Sequence, residues 1–354
     1  MPFIPVERNE GKNCVTIRGA LIFTLHVGPM HSTQQGGDKA TVDALKDIQS
    51  WVVKPSLTDL AQCTQPAMQG DIAAQQQVCG ALLWTAFAAP AAVTEVYDAV
   101  AAGALGASVE QAASRADYCP VPESFWRTFA ETLTGPDQGY DATSITVAVA
   151  ALGGSVADEF AELAERAAQQ HPGASEAAGQ PVPERTDIEA LGRLPQDSLG
   201  NNLYRMLVDN NFDAEVLDRE VIGLANLSPA LRYLNTRILQ MHDVWHLVAG
   251  YQTTSLHEIA ISAFQLAQFG HNYSSMFLAT VATMSSVKTP AGFGLLLQNI
   301  TEAWRHGRAT PPLMPIQWES EWHESVDVIR TRHGITPFKG SFPPDLLEQL
   351  AAVA

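Results

Sequence analysis

Positive charge is scarce in this chain: Lys and Arg number 21 against 38 Asp and Glu, a formal charge of −17. Phosphate backbones are held by clustered Lys and Arg, so the balance argues for no nucleic-acid partner. It also sets the chain against anionic membrane surfaces unless a local basic patch offsets the total. Long apolar runs are missing too. A membrane-spanning helix needs roughly 18 or more consecutive apolar residues. The nearest approach, Ala142 to Ala157, is broken by Gly153-Gly154 and carries Thr and Ser. The N-terminus makes a poor export signal, because Glu7, Arg8 and Glu10 mix charges and the apolar run Ala20 to Leu25 is short. Cysteine is sparse. Cys14, Cys63, Cys79 and Cys119 fall in the first third, none at a zinc-binding spacing. Nothing demands disulfides, which makes a reducing cytoplasm the expected compartment.

What is present is apolar material for a core: 46% of the 354 residues are hydrophobic. That excludes a wholly disordered chain. The length allows about two domains, or one large one. Residues 1–42 read as an irregular segment, although Val15 to Val27 has room for a strand. From Asp43 the periodicity is helical, with Leu45, Ile48, Trp51 and Val52 at three- and four-residue spacing. An N-terminal helical region over 43–168 follows. Its helices are expected at Ile72–Ala88, Val93–Gly103, Val109–Ala116, Phe125–Leu133 and Val156–Ala168. The stretch 169–187, rich in Pro, Gly and small polar residues, reads as a linker or a long surface loop.

The region 188–338 is again helical, and 339–354 reads as a tail. Ser228 and Pro229 mark an N-cap and first turn for a long helix to Val248. Gly250 interrupts it. Ser255 is placed to cap the next helix, Leu256 to Gln268, which should stop near Gly270. Further helices are expected over Tyr273–Val287, Gly292–His306 up to Gly307, and Gln317–His333 before Gly334. Strand signals are nearly absent after residue 30, and there is no internal repeat. The expected class is all-α, a helical bundle with an N-terminal helical extension.

Six of the ten histidines lie between His242 and His323. The informative group is His242-Asp243-Val-Trp-His246, then eleven residues, then Glu258. His242 and His246 are four apart and share a helix face, from which two imidazole nitrogens can reach one divalent ion. Asp243 sits roughly 100° round the helix, as a further ligand or as an acceptor that fixes an imidazole tautomer. On a continuous helix Glu258 would fall roughly 120° off the histidine face. A chain reversal at Gly250 removes that obstacle. Two imidazoles with one or two carboxylates suit Fe, Mn or Zn as a divalent metal ion. An isolated pair of histidines at this spacing is also common as ordinary core, so spacing alone leaves both readings open.

The segment resembles the ubiquinone (coenzyme Q) biosynthesis protein 4 family, whose hallmark is H-D-x-x-H-x11-E. Here it reads His242, Asp243, His246 and Glu258 without a gap. Leu194-Pro-Gln-Asp-Ser-Leu-Gly200 followed by Tyr204, the run Arg232 to Arg237, and Trp304, Gly307-Arg308 and Trp318 to Trp322 also match, so the resemblance covers about residues 188 to 336. Two positions depart from the family pattern: His257 stands where Gly usually precedes the motif Glu, and Leu239 where a second Arg is frequent. His257 is placed either to add a ligand or to crowd the site.

The resemblance implies an α-helical fold and a role in ubiquinone biosynthesis. It implies metal-dependent oxidative decarboxylation and hydroxylation of the ring of a polyprenylated 4-hydroxybenzoate. It makes His242, Asp243, His246 and Glu258 the metal ligands, with Asp243, Arg237 and Tyr204 as candidate catalytic residues. A groove for the polyprenyl tail, peripheral membrane contact at the inner face and association with other quinone-biosynthesis enzymes are implied as well. Phe264, Phe269, Met276 and Phe277 are candidates for the groove, although for any one of them ordinary core is the plainer reading. Arg237 is equally suited to a salt bridge with a nearby acid, Tyr204 to packing, and His271, His306 and His323 to surface or capping positions. The Trp318/Trp322 pair reads as packing.

Three rivals stand beside this reading. One is a non-catalytic polyprenyl-lipid-binding scaffold with a structural ion. The second is a phosphohydrolase using the His242-Asp243 pair, disfavoured because such a site needs a further upstream histidine, none lies between His171 and His242, and His171 sits in the Pro-rich stretch. The third is an enzyme of the same family acting on another aromatic acid. The first 80 residues are free to form a partner surface, a homodimer arm or a lid.

Overall fold

The computed structural model describes residues 22–23, 47–110, 113–136, 140–210 and 224–353. The irregular segment expected over 1–42 lies outside these, apart from Ile22–Phe23. That pair forms β1, antiparallel to β2 (Tyr140–Asp141), within the stretch where the sequence left room for a strand. Otherwise the described elements are helices, and the fold is all-α.

The N-terminal helices are α1 (Leu57–Met68), α2 (Ile72–Phe87) and α3 (Val93–Ala104). α1 is absent from the sequence expectation, because Pro66 interrupts its pattern; the proline sits in the last turn, where little of the helix remains to be broken. Ser56 caps its start through the Asp59 amide. α4 (Glu123–Thr134), α5 (Ala142–Leu152) and α6 (Asp158–Gln170) follow. The helix expected over Val109–Ala116 does not form. Its described residues are not helical, and Ala113 instead bridges to Ser56. The stretch after α6 runs against the long motif helix, burying Ala174 and Ala177.

α7 (Ile188–Leu191) and α8 (Leu199–Asn210) lead to α9 (Pro229–Ala249), α10 (Ser255–Phe269), α11 (Asn272–Lys288) and α12 (Phe293–Ala309). α12 does not end at Gly307. That glycine lets α10 and α12 touch, since a Cβ there would meet the Phe264 carbonyl oxygen and the Ala267 Cβ at 2.7 Å. α11 packs on α2 and α12 on α3, so the N-terminal helices and the motif helices share one apolar core.

The helix expected over Gln317–His333 is split. Residues 322–325 pair instead with the start of α8, where the Gly200 and Leu199 amides donate to the Trp322 and Glu324 carbonyls. Ser325 then caps a fresh helix, α13 (Val326–His333), which stops at Gly334 as expected. Trp318 and Trp322 are both buried. The last helix is α14 (Leu346–Val353). Among the described residues no helix is long and apolar enough to cross a membrane.

Candidate metal centre

α9 is the foundation of the site. Pro229 stands at its first turn, as the sequence predicts, but Ser228 does not cap with its own hydroxyl. The Glu165 carboxylate, from α6, accepts the Ser228 hydroxyl and the Ala230 and Leu231 amides. A carboxylate placed there also meets the positive end of the helix. Burial alone would raise the Glu165 carboxyl, and these donors bring it below its ordinary range.

At the far end Gly250 closes α9 at φ 79°, a left-handed conformation that glycine takes without strain. The chain reverses there, as the spacing argument required. α10 then starts one residue earlier than expected, with Thr254 rather than Ser255 at the N-cap. Its capping acceptor comes from α14: the Glu348 carboxylate takes the Ser255 amide and hydroxyl. The reversal brings Glu258, in the first turn of α10, back onto the histidine face of α9.

The result is a convergence of three side chains. His242, His246 and Glu258 each offer a donor atom, and these atoms lie within 4.8 Å of one another. The two Nε2 atoms are 3.0 Å apart, and the Glu258 oxygens stand 3.4 Å from His242 Nε2 and 3.5 Å from His246 Nε2. Neighbouring nitrogen and oxygen ligands of one ion bound at about 2.1 Å are separated by about 3 Å, so the group fits a divalent cation. The outer contacts agree with that use. His246 is buried, and its Nδ1–H donates to the Tyr251 carbonyl at 3.3 Å, which leaves a lone pair on Nε2. The charges are mutually supporting. Burial would raise the Glu258 carboxyl, but the His246 and His242 imidazoles hold it well below its ordinary range. Burial would lower His242, and Glu258 raises it instead.

The other predicted residues divide. The Asp243 carboxylate is outside the group of mutually close donor atoms. It is still coupled to the group: burial raises it, and the His242 and His246 imidazoles pull the other way. It is therefore an electrostatic neighbour in this structure. His257 is turned aside and adds no ligand. Its Nδ1 accepts the Gln252 amide at 2.8 Å, and its ring packs on Tyr251 and Phe338. Arg237 takes the salt-bridge alternative, donating through both guanidinium NH2 groups to the Glu319 carboxylate. Tyr204 packs across Gly192. Phe264 and Phe269 are fully buried, with Phe264 against Tyr251 and Phe269 against Trp245. Met276 and Phe277 are nearly so.

Two residues near the centre, Gln265 and Asn235, escaped the sequence reading. Gln265 donates from its amide to His242 Nδ1 at 2.7 Å. Asn235 binds His271 through Oδ1, 3.1 Å from Nε2. His271 is at the N-cap of α11, the capping alternative, but buried rather than superficial, and burial first, then His242, lowers it to about 3. Helical spacing held the signal: Asn235 precedes His242 by seven residues and Gln265 follows Glu258 by seven, two turns along the same faces.

Comparison with known proteins bears on this geometry. Residues 141–339 match the family described as coenzyme Q (ubiquinone) biosynthesis protein Coq4. The mitochondrial ubiquinone biosynthesis protein COQ4 homologue of Drosophila ananassae is 28% identical over 150 residues, covering 42% of this chain and 54% of the relative. The homologue of Drosophila melanogaster is 27% identical over the same shares. The chain thus spans about half the length of the curated relatives it matches. A crystal structure from Nostoc punctiforme, of a protein provisionally assigned to ubiquinone biosynthesis, aligns at a TM-score of 0.48 and 24% identity, covering 60% of this chain and 98% of the other. Because the family match takes in α9, α10 and the His242–Glu258 spacing they carry, and extends over more than half of the sequence, the chain belongs to the Coq4 family of coenzyme Q (ubiquinone) biosynthesis proteins.

Proposed function

We propose that this protein serves ubiquinone biosynthesis by oxidative decarboxylation of a polyprenylated 4-hydroxybenzoate, with hydroxyl replacing the ring carboxyl. The observation that carries the reading is the meeting of His242, His246 and Glu258 from two helices joined at Gly250, in a chain of this family. His242 and His246 would hold a divalent Fe, Mn or Zn ion through Nε2, and Glu258 through its carboxylate. Such an ion, bound, supplies a site for the substrate carboxylate or phenolate and for dioxygen. Exchanging carboxyl for hydroxyl with release of CO2 takes up one oxygen atom. Dioxygen provides it, and its second atom leaves as water on two protons and two electrons from an external two-electron donor.

The protein's own residues do the rest. Asp243 would exchange a proton with groups next to the centre, a role supported by the raising of its carboxyl through burial. Arg237 and Tyr204 act in this reading as structural supports, in line with their contacts to Glu319 and Gly192. A polyprenyl tail loses about 0.8 kcal/mol for every CH2 it exposes, so it must pass from bilayer to protein along apolar surface. Phe269, Met276 and Phe277, on α10 and α11, are the proposed lining. That demand makes peripheral contact with a membrane, and with enzymes handling the same insoluble intermediates, part of the proposal.

The test starts with elemental analysis of the protein and of His246→Ala, prepared without chelators or an affinity tag. About one equivalent of Fe, Mn or Zn, lost in the variant, followed by turnover of a prenylated 4-hydroxybenzoate under dioxygen, is the expected result. A stably bound ion with no turnover on any prenylated hydroxybenzoate would overturn the enzymatic reading in favour of a lipid-binding scaffold. No metal after reconstitution would overturn the site itself.

A further inference from the structure

The convergence of His242, His246 and Glu258 depends on the reversal between α9 and α10, and that reversal is gripped by the C-terminal part of the chain. A helix leaves its last four carbonyls without partners of its own. In α9 all four are taken. The His246 carbonyl accepts the Gly250 and Tyr251 amides. The Leu247 and Val248 carbonyls accept from the Arg330 guanidinium, on α13, at 2.8 and 2.9 Å. The Ala249 carbonyl accepts the Phe338 amide at 2.8 Å. Pro337 lies so close to Gly250 that a Cβ there would meet the proline Cβ at 2.8 Å.

Tyr251 is where this grip reaches a ligand. Its backbone meets His246 twice: its amide donates to the His246 carbonyl at 2.9 Å, and its own carbonyl stands 3.3 Å from His246 Nδ1. Its side chain is tied at two further points. The ring stacks on Phe338, with centroids 4.6 Å apart and planes at 20°. The hydroxyl is 2.7 Å from His306 Nδ1, and His306 Nε2 is 2.7 Å from the Thr336 carbonyl. A carbonyl can only accept, so His306 carries its proton on Nε2 and receives the Tyr251 hydroxyl at Nδ1. With ring and hydroxyl both held, the residue has little freedom left, and its carbonyl stays where His246 needs it.

We propose that Tyr251 is a positioning residue of the metal centre, anchored through its hydroxyl to His306 and the Thr336 carbonyl, so that the segment 330–338 belongs to the centre although it supplies no ligand. The proposal rests on the metal-centre reading above and adds to it the chain of contacts that orients His246. Neither Tyr251 nor His306 touches the ion; both act through the His246 ring. Removing an outer partner of a ligating histidine commonly weakens metal binding by roughly 10–100-fold.

The experiment measures Mn(II) affinity by competition with a chromophoric chelator in the full-length protein, with urea midpoints for every variant. Tyr251→Phe removes the hydroxyl and keeps the ring; His306→Leu removes its acceptor. Each should bind Mn(II) roughly 10-fold more weakly. His306→Gln should keep the parent affinity, because a glutamine offers one acceptor and one donor, for the Tyr251 hydroxyl and the Thr336 carbonyl. The double variant Tyr251→Phe/His306→Leu should be no weaker than either single one, since both cut the same chain. Glu165→Ala, which loosens the opposite end of α9, is the control: a merely structural role predicts that it weakens Mn(II) as much as Tyr251→Phe at equal loss of stability, and such a result overturns the proposal. Parent affinity in Tyr251→Phe overturns it as well, as do additive losses in the double variant. Tyr251→Phe, the mildest change, decides alone should His306→Leu not fold. A parent protein that takes up no divalent cation sinks the metal-centre reading and this proposal together, whereas a parent that binds Mn(II) beside variants that bind it equally sinks this proposal only.

Discussion

The Nε2 atoms of His242 and His246 stand 3.0 Å apart, with the Glu258 carboxylate beside both. A cation at this point binds the folded chain and not the unfolded one, so it stabilises by mass action. At a free concentration one hundred times its dissociation constant, the gain is about 2.7 kcal/mol. Adding Mn(II) or Zn(II) to chelator-treated protein should therefore raise Tm by several degrees, and His246→Ala should lose the shift. Differential scanning calorimetry of both proteins, with and without metal, checks this; equal shifts in the two would remove His246 from the ligand set.

Arg237 offers the opposite signature. Its side chain is 4% exposed and committed to Glu319, which is half-exposed. Arg237→Ala removes charge-assisted hydrogen bonds of about 1.5–3 kcal/mol. Metal uptake should stay at the parent value while the urea midpoint falls. A metal-deficient but fully stable Arg237→Ala would place this residue at the centre after all.

The metal-free protein should weaken in mild acid for a reason separate from the carboxylates. Burial lowers His171 to about 4, with Arg308 acting in the same direction, and lowers His271 to about 3, with His242 contributing. Unfolded, both would titrate near 6.5. The depressed folded values mean that the unfolded chain binds more protons below pH 6.5. The stability these neutral histidines contribute is complete above that pH. It is lost as pH falls towards 4 and then 3, with a slope of up to about 1.4 kcal/mol per pH unit for each. Urea midpoints measured from pH 7.5 to 4.5 should fall. His271→Asn should flatten the curve, and an unchanged slope in that variant would show that His271 is not the group responsible.

Much of the centre was legible in the sequence because it depends on local rules. Four-residue spacing puts His242 and His246 on one face, and a glycine stop explains how Glu258 returns to it. What was not legible depends on partners far along the chain. Nothing near Ser228 announces that Glu165, 63 positions earlier, caps its helix, nor near Ser255 that Glu348 does the same. The expected helix over Gln317–His333 failed for a related reason. Its periodicity is sound, but residues 322–325 satisfy their backbone groups on α8 instead. The Val109–Ala116 expectation rested on alanine content, and propensity alone did not outweigh the bridge from Ala113 to Ser56.

The Glu165 cap is testable by itself. Its carboxylate serves three donors at the start of the helix that carries both histidines. Glu165→Ala should cost about 1 kcal/mol, the ordinary worth of a helix cap, and leave the Ala230 and Leu231 amides to water. Glu165→Gln keeps an acceptor but loses the charge facing the helix end, and should cost less than the alanine change. The carboxyl is held low in the folded state, so its contribution is present at neutral pH and lost as pH falls through the folded value. Hydrogen exchange gives the local readout. Amides in the first two turns of α9 should exchange faster in Glu165→Ala, while those around Val248 stay as they were. Uniform acceleration along α9 would mean that Glu165 supports the helix through global stability and not through its cap.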